Sequence, residues 1–109
     1  MNEPHPAPPS RPRTPGTHIL KVSAHSSPNS VAGALAGVLR ERDSAELQAI
    51  GAGATNQAVK AIAIARSYLE ASDFDITCIP EFIDVTIEGK DRTAIRLLVE
   101  RRPRPLVGA

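Results

Sequence analysis

The confinement of apolar residues to one window, bounded by proline-rich ends, most constrains how this chain folds. Six of the ten prolines lie in residues 1–17, and Pro103 and Pro105 lie close to the other end. Between them, residues 18–100 carry dense runs of Ile, Leu, Val and Ala. Segments with few apolar residues cannot offset the entropy that ordering them costs. We therefore predict one domain over residues 18–100, a disordered proline-rich arm over 1–17 and a disordered basic tail over 101–109.

Strand-like and helix-like segments alternate within this window. Four segments have strand character: residues 18–23, 45–50, 73–88 and 92–100. Apolar spacing predicts helices from Pro28 to about residue 43 and from about residue 55 to residue 71, with Ser27 as the cap of the first. The turn before the second helix contains glycine, and residues 88–91 form the last turn. The order β-α-β-α-β-β predicts an α/β domain, an α+β sandwich with a four-stranded mixed sheet and both helices on one face.

The third strand changes its apolar phase midway. Its first half is apolar at even positions, such as Phe74 and Ile76, and its second half at odd positions, such as Ile83 and Val85. Because side chains alternate between the faces of a strand, this reversal predicts a bulge or break at Pro80.

Small and apolar residues on the helices indicate close packing. Gly33 and Gly37 each weaken a helix by about 1 kcal/mol relative to Ala, so we expect another backbone to approach them closely. The second helix is apolar around most of its circumference, with Val59, Ile62 and Ile64 among its large residues. One sheet covers only one side of a helix, which predicts a homodimer, or a dimer of dimers, formed through this helix.

Composition narrows the classes of function. Only three residues are aromatic, so the core must be built from Ile, Leu, Val and Ala. The single cysteine, Cys78, cannot form an internal disulfide, and we predict that it is buried and unreactive. No apolar stretch is long enough to span a membrane and the arm lacks the apolar centre of a signal peptide, which favours a cytoplasmic protein that does not contact a membrane.

Charge is distributed unevenly. The net charge is +1, yet residues 18–100 hold eight Lys or Arg against eleven Asp or Glu, a balance of −3. A protein that coats duplexes needs a basic face, which this domain can have only where its charges are segregated.

Several stretches resemble the stage V sporulation protein S family, a small bacterial family linked to sporulation control. They are LKVSA (20–24), SSPNSVAGALAG (26–37), QAIGAGA (48–54), NQAVKA (56–61), CIP (78–80) and RTAI (92–95). The strand order and the Gly51–Ala54 segment before the helix with Lys60 are also similar, more distantly, to the Alba group of nucleic-acid-binding proteins. This resemblance implies an Alba-like fold and nucleic-acid binding. Alba loops typically carry more basic residues than the loops of this chain.

Two loops are candidate phosphate sites. The first loop leads into a helix N-terminus, where free N–H groups and the helix dipole favour an anion. Its candidate ligands are Lys21, Ser26, Ser27, Asn29 and Ser30. The alternative is that Ser27 only caps the helix and the other side chains are solvated.

In the second loop, the glycines at positions 51 and 53 would let a backbone approach a phosphate, or they simply form a tight turn. Asn56 and Lys60 lie on one face of the helix that follows, as phosphate ligands or as its solvated edge. In a dimer, two copies of Lys21, Lys60, Lys90 and Arg92 would form a basic strip.

These observations predict a nucleic-acid-binding regulator of sporulation or developmental control that acts as a homodimer. No nucleophile–base pair, metal spacing or cofactor motif is recognisable, so we expect no catalytic residues, no metal and no cofactor. The alternative is a protein–protein scaffold or a sensor of a small anionic ligand that does not bind nucleic acid directly.

Overall fold

The computed structural model describes residues 18–104. The elements are β1 (His18–Val22), α1 (Pro28–Glu41), β2 (Ser44–Ala49), α2 (Ala52–Tyr68), β3 (Phe74–Ile87) and β4 (Lys90–Pro103). The predicted class and the order β-α-β-α-β-β are confirmed. The predicted arm and residues 105–109 of the predicted tail lie outside the described residues.

The four strands form one mixed sheet in the order β1-β2-β4-β3. β1 is parallel to β2, while β4 runs antiparallel to β2 and β3, its neighbours on the two sides. Both helices pack on each other and against β1 and β2. The last strand of the sequence therefore lies inside the sheet, and β3 is an edge strand.

The core lies between the helices and this sheet. Its largest fully buried apolar side chains are Leu35, Leu39, Leu47, Leu69 and Val99. The buried face of α2 consists of alanines at 54, 58, 61 and 65, and their small side chains let the helix lie close to the strands. No aromatic residue belongs to the buried core of the described chain, in agreement with the predicted aliphatic core.

The bulge predicted at Pro80 is wrong. β3 pairs with β4 one residue to one, from Phe74 opposite Pro103 to Ile87 opposite Lys90. An edge strand tolerates a proline because one side of its ladder has no partner strand. The apolar phase reverses because Ile76 packs in the helix-side core, whereas Ile83 is buried outside that core, where the hairpin extends past β2.

The last strand differs from prediction at both ends. β4 extends beyond the predicted 92–100 in both directions. Arg101, placed by the sequence in a tail, donates its backbone N–H to the Asp43 carbonyl over 2.9 Å and its Nε to the Leu39 carbonyl over 2.7 Å. Its guanidinium also lies 4.3 Å from the centre of the Phe74 ring. These contacts make Arg101 part of the folded domain.

The close approach predicted at Gly33 and Gly37 is not found within residues 18–104. Both glycines are exposed, and a Cβ added at either would meet no atom within 4 Å. They therefore leave a smooth outer surface on α1.

Candidate nucleic-acid interface

The N-terminus of α2 is open to solvent. Helix α2 begins at Ala52, three residues before the predicted start, because Gly51 turns the chain with a φ of 87°. No side chain caps this end; the N–H and Oγ1 of Thr55 close onto the Gly51 carbonyl over 3.0 and 2.8 Å. Ala52 and Gly53 are exposed. The first N–H groups of a helix have no intrahelical partner and carry partial positive charge, so this end can receive an anion.

The two candidate loops lie side by side. A Cβ on Gly53 would stand 3.1 Å from the Cβ of Ala24, which is tighter than ordinary contact. Gln57 also donates its Nε2 to the Ser26 carbonyl over 3.0 Å. The first loop therefore rests on the first turns of α2, and the missing side chain of Gly53 permits this close approach, whereas Gly51 makes the turn.

Serines of the first loop have structural roles. Ser27 caps α1 by accepting the Ser30 N–H over 3.3 Å, with Pro28 in the first turn. Ser26 accepts the Ser23 N–H through its Oγ over 2.9 Å. Ser27 therefore acts as the helix cap, as the alternative interpretation proposed. Asn29 and Ser30 are exposed beside it in the first turn of α1.

The remaining cationic and amide candidates lie on α2, at the end of β1 and on the β3–β4 hairpin. Lys60 and Asn56 are exposed one turn apart on α2, and Asn56 lines a groove with Thr93 of β4. Lys21 lines a cavity with Val85 and Ile87 of β3. Val85 pairs with Arg92, and Ile87 pairs with Lys90. Both cations of the hairpin therefore lie on β4, directly opposite the β3 residues that line the cavity. The structure thus places Asn56, Lys21 and the two hairpin cations near the loops or on the hairpin, whereas Lys60 lies in the middle of α2 and lines none of these depressions.

A buried ionic cluster on the helix-free face of the sheet was missed by sequence reasoning. Arg96 lies between Glu46 and Glu81, its NH1 3.9 Å from Glu46 Oε1 and its NH2 hydrogen-bonded to Glu81. Gln48 donates to the other oxygen of Glu46 over 2.7 Å. The side chains of Glu46 and Arg96 are only 2% and 7% exposed. Only the pairing of β2, β4 and β3 brings these residues together, so no local motif reveals the cluster.

An apolar groove runs between α2 and the β3–β4 hairpin. Two depressions that share Val59 make up this α2–β3 groove, and Arg66, Asp75 and Arg102 line one end of it. Its apolar lining consists of Val59, Ile62, Ala63, Cys78, Phe82 and Ile95. Val59 is 53% exposed and Phe82 is 37% exposed. At 100° per residue, Ile64 falls about 200° from Ile62, so it lies on the flank of α2 away from this groove. Cys78 is half-buried here, so the prediction that it is buried is wrong, while its low reactivity stays a prediction.

Within residues 18–104, no helix is long and apolar enough to cross a membrane. The same part of the chain contains no group of three His, Cys, Asp or Glu side chains arranged to hold a metal ion.

The family model of stage V sporulation protein S matches residues 18–102. The chain belongs to the stage V sporulation protein S family. This match covers both helices, β1, β2, β3 and nearly all of β4. Every candidate residue of the two loops, of α2 and of the hairpin falls inside the part of the chain that matches this sporulation family.

Proposed function

We propose that this sporulation-family protein is a non-catalytic, nucleic-acid-binding regulator that acts in the cytoplasm as a homodimer. The observation that carries the proposal is the contact between the two loops. Through Ala24, Gly53 and the bond from Gln57 to Ser26, the polar first loop lies beside the uncapped start of α2. A phosphate at that point would meet helix N–H groups, and Asn29 and Ser30 as neutral donors.

Local charge supports the same surface. Over residues 18–104 the eleven Lys and Arg are balanced by eleven Asp and Glu, so attraction to a polyanion depends on where the cations lie. Lys21, Lys90 and Arg92 are exposed at the end of β1 and on the hairpin, and Lys60 is exposed in the middle of α2. Arg101, by contrast, is used inside the fold. A dimer would carry two copies of these four exposed cations, and several weak phosphate contacts would then act together.

A salt titration tests the nucleic-acid part of the proposal. Fluorescence anisotropy with single- and double-stranded oligonucleotides should show affinity that falls linearly in log–log form as salt rises. Lys60→Gln and Lys90→Gln should each weaken binding several-fold and reduce the salt slope by about one. Arg102→Gln is the matched control, since Arg102 is an exposed cation near the far end of β4. Absence of binding at low salt, or equal loss in the control, would contradict the proposal.

The α2–β3 groove supports the homodimer. Val59 and Phe82 expose apolar surface on either side of a continuous depression, and soluble monomers rarely leave such a patch uncovered. Equivalent grooves could meet across a two-fold axis. Ile64 does not belong to this surface, so its substitution would test folding and not assembly.

Sedimentation analysis at micromolar concentration tests the assembly. The wild-type chain should sediment as a dimer or a dimer of dimers, and Val59→Glu should give a folded monomer because Val59 is already half exposed. Tyr68→Glu is the control: Tyr68 is 45% exposed on the opposite flank of α2 and should leave the assembly intact. A monomeric wild-type chain would refute the homodimer without deciding whether the chain binds nucleic acid.

A further inference from the structure

A cavity of about 300 Å³ lies between the β3–β4 hairpin and the ends of β1 and β2. The far part of the hairpin, which extends past β2, forms one wall of this hairpin cavity with Val85 and Ile87. The sheet and the end of β1 form the other with Val22, Ile50 and Ala94. Its volume is at the lower end of the range of about 300–1,000 Å³ for small-molecule sites.

The charge on the cavity lining is positive. Lys21 is the only charged residue among those that line it. The hydroxyl oxygen of Ser23 accepts the His25 N–H over 3.2 Å and lies 3.3 Å from the hydroxyl oxygen of Ser26. When Ser26 is the donor in that pair, Ser23 keeps its own proton to donate to a ligand. Thr86, by contrast, donates its hydroxyl to Asp91 over 2.9 Å. The cavity therefore offers one cation, Lys21, and the hydroxyl of Ser23, which pairs with Ser26, beside aliphatic walls.

The cluster of Glu46, Glu81 and Arg96 lies next to the cavity and holds the side chain of Gln48 in place. Gln48, which lines the cavity, directs its amide nitrogen to Glu46, and Glu46 also faces Arg96. The charge of Glu46 is thus offset within the protein. An anion beside Lys21 does not face an unpaired carboxylate of this cluster.

We propose that the hairpin cavity binds a small organic carboxylate with an aliphatic body. The body fills the space among Val22, Ile50, Val85 and Ala94, and the carboxylate meets the Lys21 ammonium and the Ser23 hydroxyl. One ammonium and one hydroxyl match a single negative charge, whereas a phosphate needs more donors. This site goes beyond the proposed function and does not depend on it, although a ligand here would occupy Lys21.

Titration of the full chain with sodium hexanoate, followed by amide NMR shifts, tests this proposal. Hexanoate at millimolar concentration should shift the amides of Ser23, Ile50 and Val85 and raise the melting temperature. Hexylammonium, which has the same body and the opposite charge, should bind at least several-fold more weakly. Lys21→Gln should remove most of this preference, while Lys60→Gln on α2 should leave it unchanged.

A second variant separates this site from nucleic-acid binding. Val85→Phe partly fills the cavity and should weaken hexanoate binding strongly while oligonucleotide affinity stays the same. Equal shifts by hexanoate and hexylammonium, or hexanoate shifts confined to the α2–β3 groove, would overturn the proposal. Since Lys21 is exposed, Lys21→Gln should fold, and it tests the charge preference even if Val85→Phe does not fold.

Discussion

Arg66 and Asp75 form a two-bonded ion pair that ties α2 to the start of β3. The Arg66 Nε donates to Asp75 Oδ1 over 2.9 Å, and its NH2 donates to Oδ2 over 2.8 Å. The backbone N–H of Ile76 donates to Oδ1 as well, over 2.8 Å. The Arg66 hydrogen bonds, and next the Ile76 N–H, hold the pKa of the Asp75 carboxyl well below its usual range.

This ion pair predicts a specific acid sensitivity. Because the pKa of Asp75 is lower in the folded state than in the unfolded state, its stabilisation is complete above the unfolded pKa, about 4, and is lost as the pH falls below it. Asp75→Asn should lower the melting temperature by several degrees at neutral pH and by roughly half as much at about pH 2.5, because the stabilisation is lost gradually between the unfolded and the folded pKa. The effect is limited because the Arg66 side chain is 66% exposed.

Melting curves from neutral to acidic pH test this expectation. Asp84→Asn on the same strand is the control, because Asp84 is exposed. If Asp75→Asn and the wild type differ by the same amount at every pH, the linkage to Asp75 is wrong.

Local features of the sequence account for the elements that were predicted well. Ser27 and Pro28 mark the start of α1, and the structure confirms both the cap and the starting residue. The first residues of α2 were read as a turn because glycines favour turns. In the folded chain Gly51 alone makes the turn and Gly53 is already helical, packed against Ala24. That distinction depends on a contact between residues 29 positions apart, which no local pattern contains.

The candidate site was predictable only in part, for a similar reason. Parallel strands β1 and β2 end at the same edge of the sheet, so the two loops that the sequence singled out as candidate sites are neighbours. The cluster of Glu46, Glu81 and Arg96 depends on the register of three strands. The insertion of β4 between β2 and β3 sets that register, and a strand pattern does not reveal insertion order.

Arg104 should be required for full stability although it follows the last strand. It donates to the carbonyls of Leu69 (2.8 Å), Glu70 (3.1 Å) and Ser72 (2.9 Å), where α2 ends. Carbonyls at a helix end lack intrahelical donors, and a cation there also complements the dipole. Arg104→Ala should lower the melting temperature by several degrees.

Truncation provides an independent test of the C-terminal boundary. A chain of residues 18–104 should melt near the full-length temperature, whereas a chain of residues 18–100 lacks both Arg101 and Arg104 and should melt well below it. Equal melting temperatures for the two truncated chains would support the boundary at residue 100 that the sequence suggested.

Glu88→Asn should stabilise the protein. Glu88 has a φ of 51° and Gly89 a φ of 77°, in a two-residue turn between the paired residues Ile87 and Lys90. Positive φ at both positions is typical of a type I′ turn, which favours Asn-Gly and penalises most other side chains at the first position. Glu88→Asn should raise the free energy of unfolding by about 0.5–1 kcal/mol, measured by denaturant titration. Glu88→Val should lower it, and a stabilising Val would refute the turn assignment.

Cys78 should react slowly with thiol reagents. Burial raises the pKa of its thiol, and the thiolate is the reactive form. Labelling at neutral pH should therefore be slower than for a free cysteine and should accelerate as the pH rises. Because Cys78 lines the α2–β3 groove, Val59→Glu should expose it and increase the rate, whereas Tyr68→Glu should not. Equal rates in these two variants would argue against a partner subunit on the groove.

Arg96→Met should be the most destabilising of these single changes. The side chains of Glu46 and Glu81 are 2% and 18% exposed, and both face Arg96. Removing one partner from a buried ionic cluster leaves uncompensated charge and costs about 3–5 kcal/mol.

Glu46 pairs with Ile19 on one side and Leu98 on the other, so an apolar side chain at position 46 would have apolar neighbours. Arg96→Met combined with Glu46→Leu should therefore recover a large part of the loss, as measured by urea unfolding. Glu46→Leu alone leaves Arg96 paired with Glu81 and should cost less than Arg96→Met. If the two changes simply add, the charges of Glu46 and Arg96 are not coupled, and the cluster does not stabilise the sheet in the way that its geometry indicates.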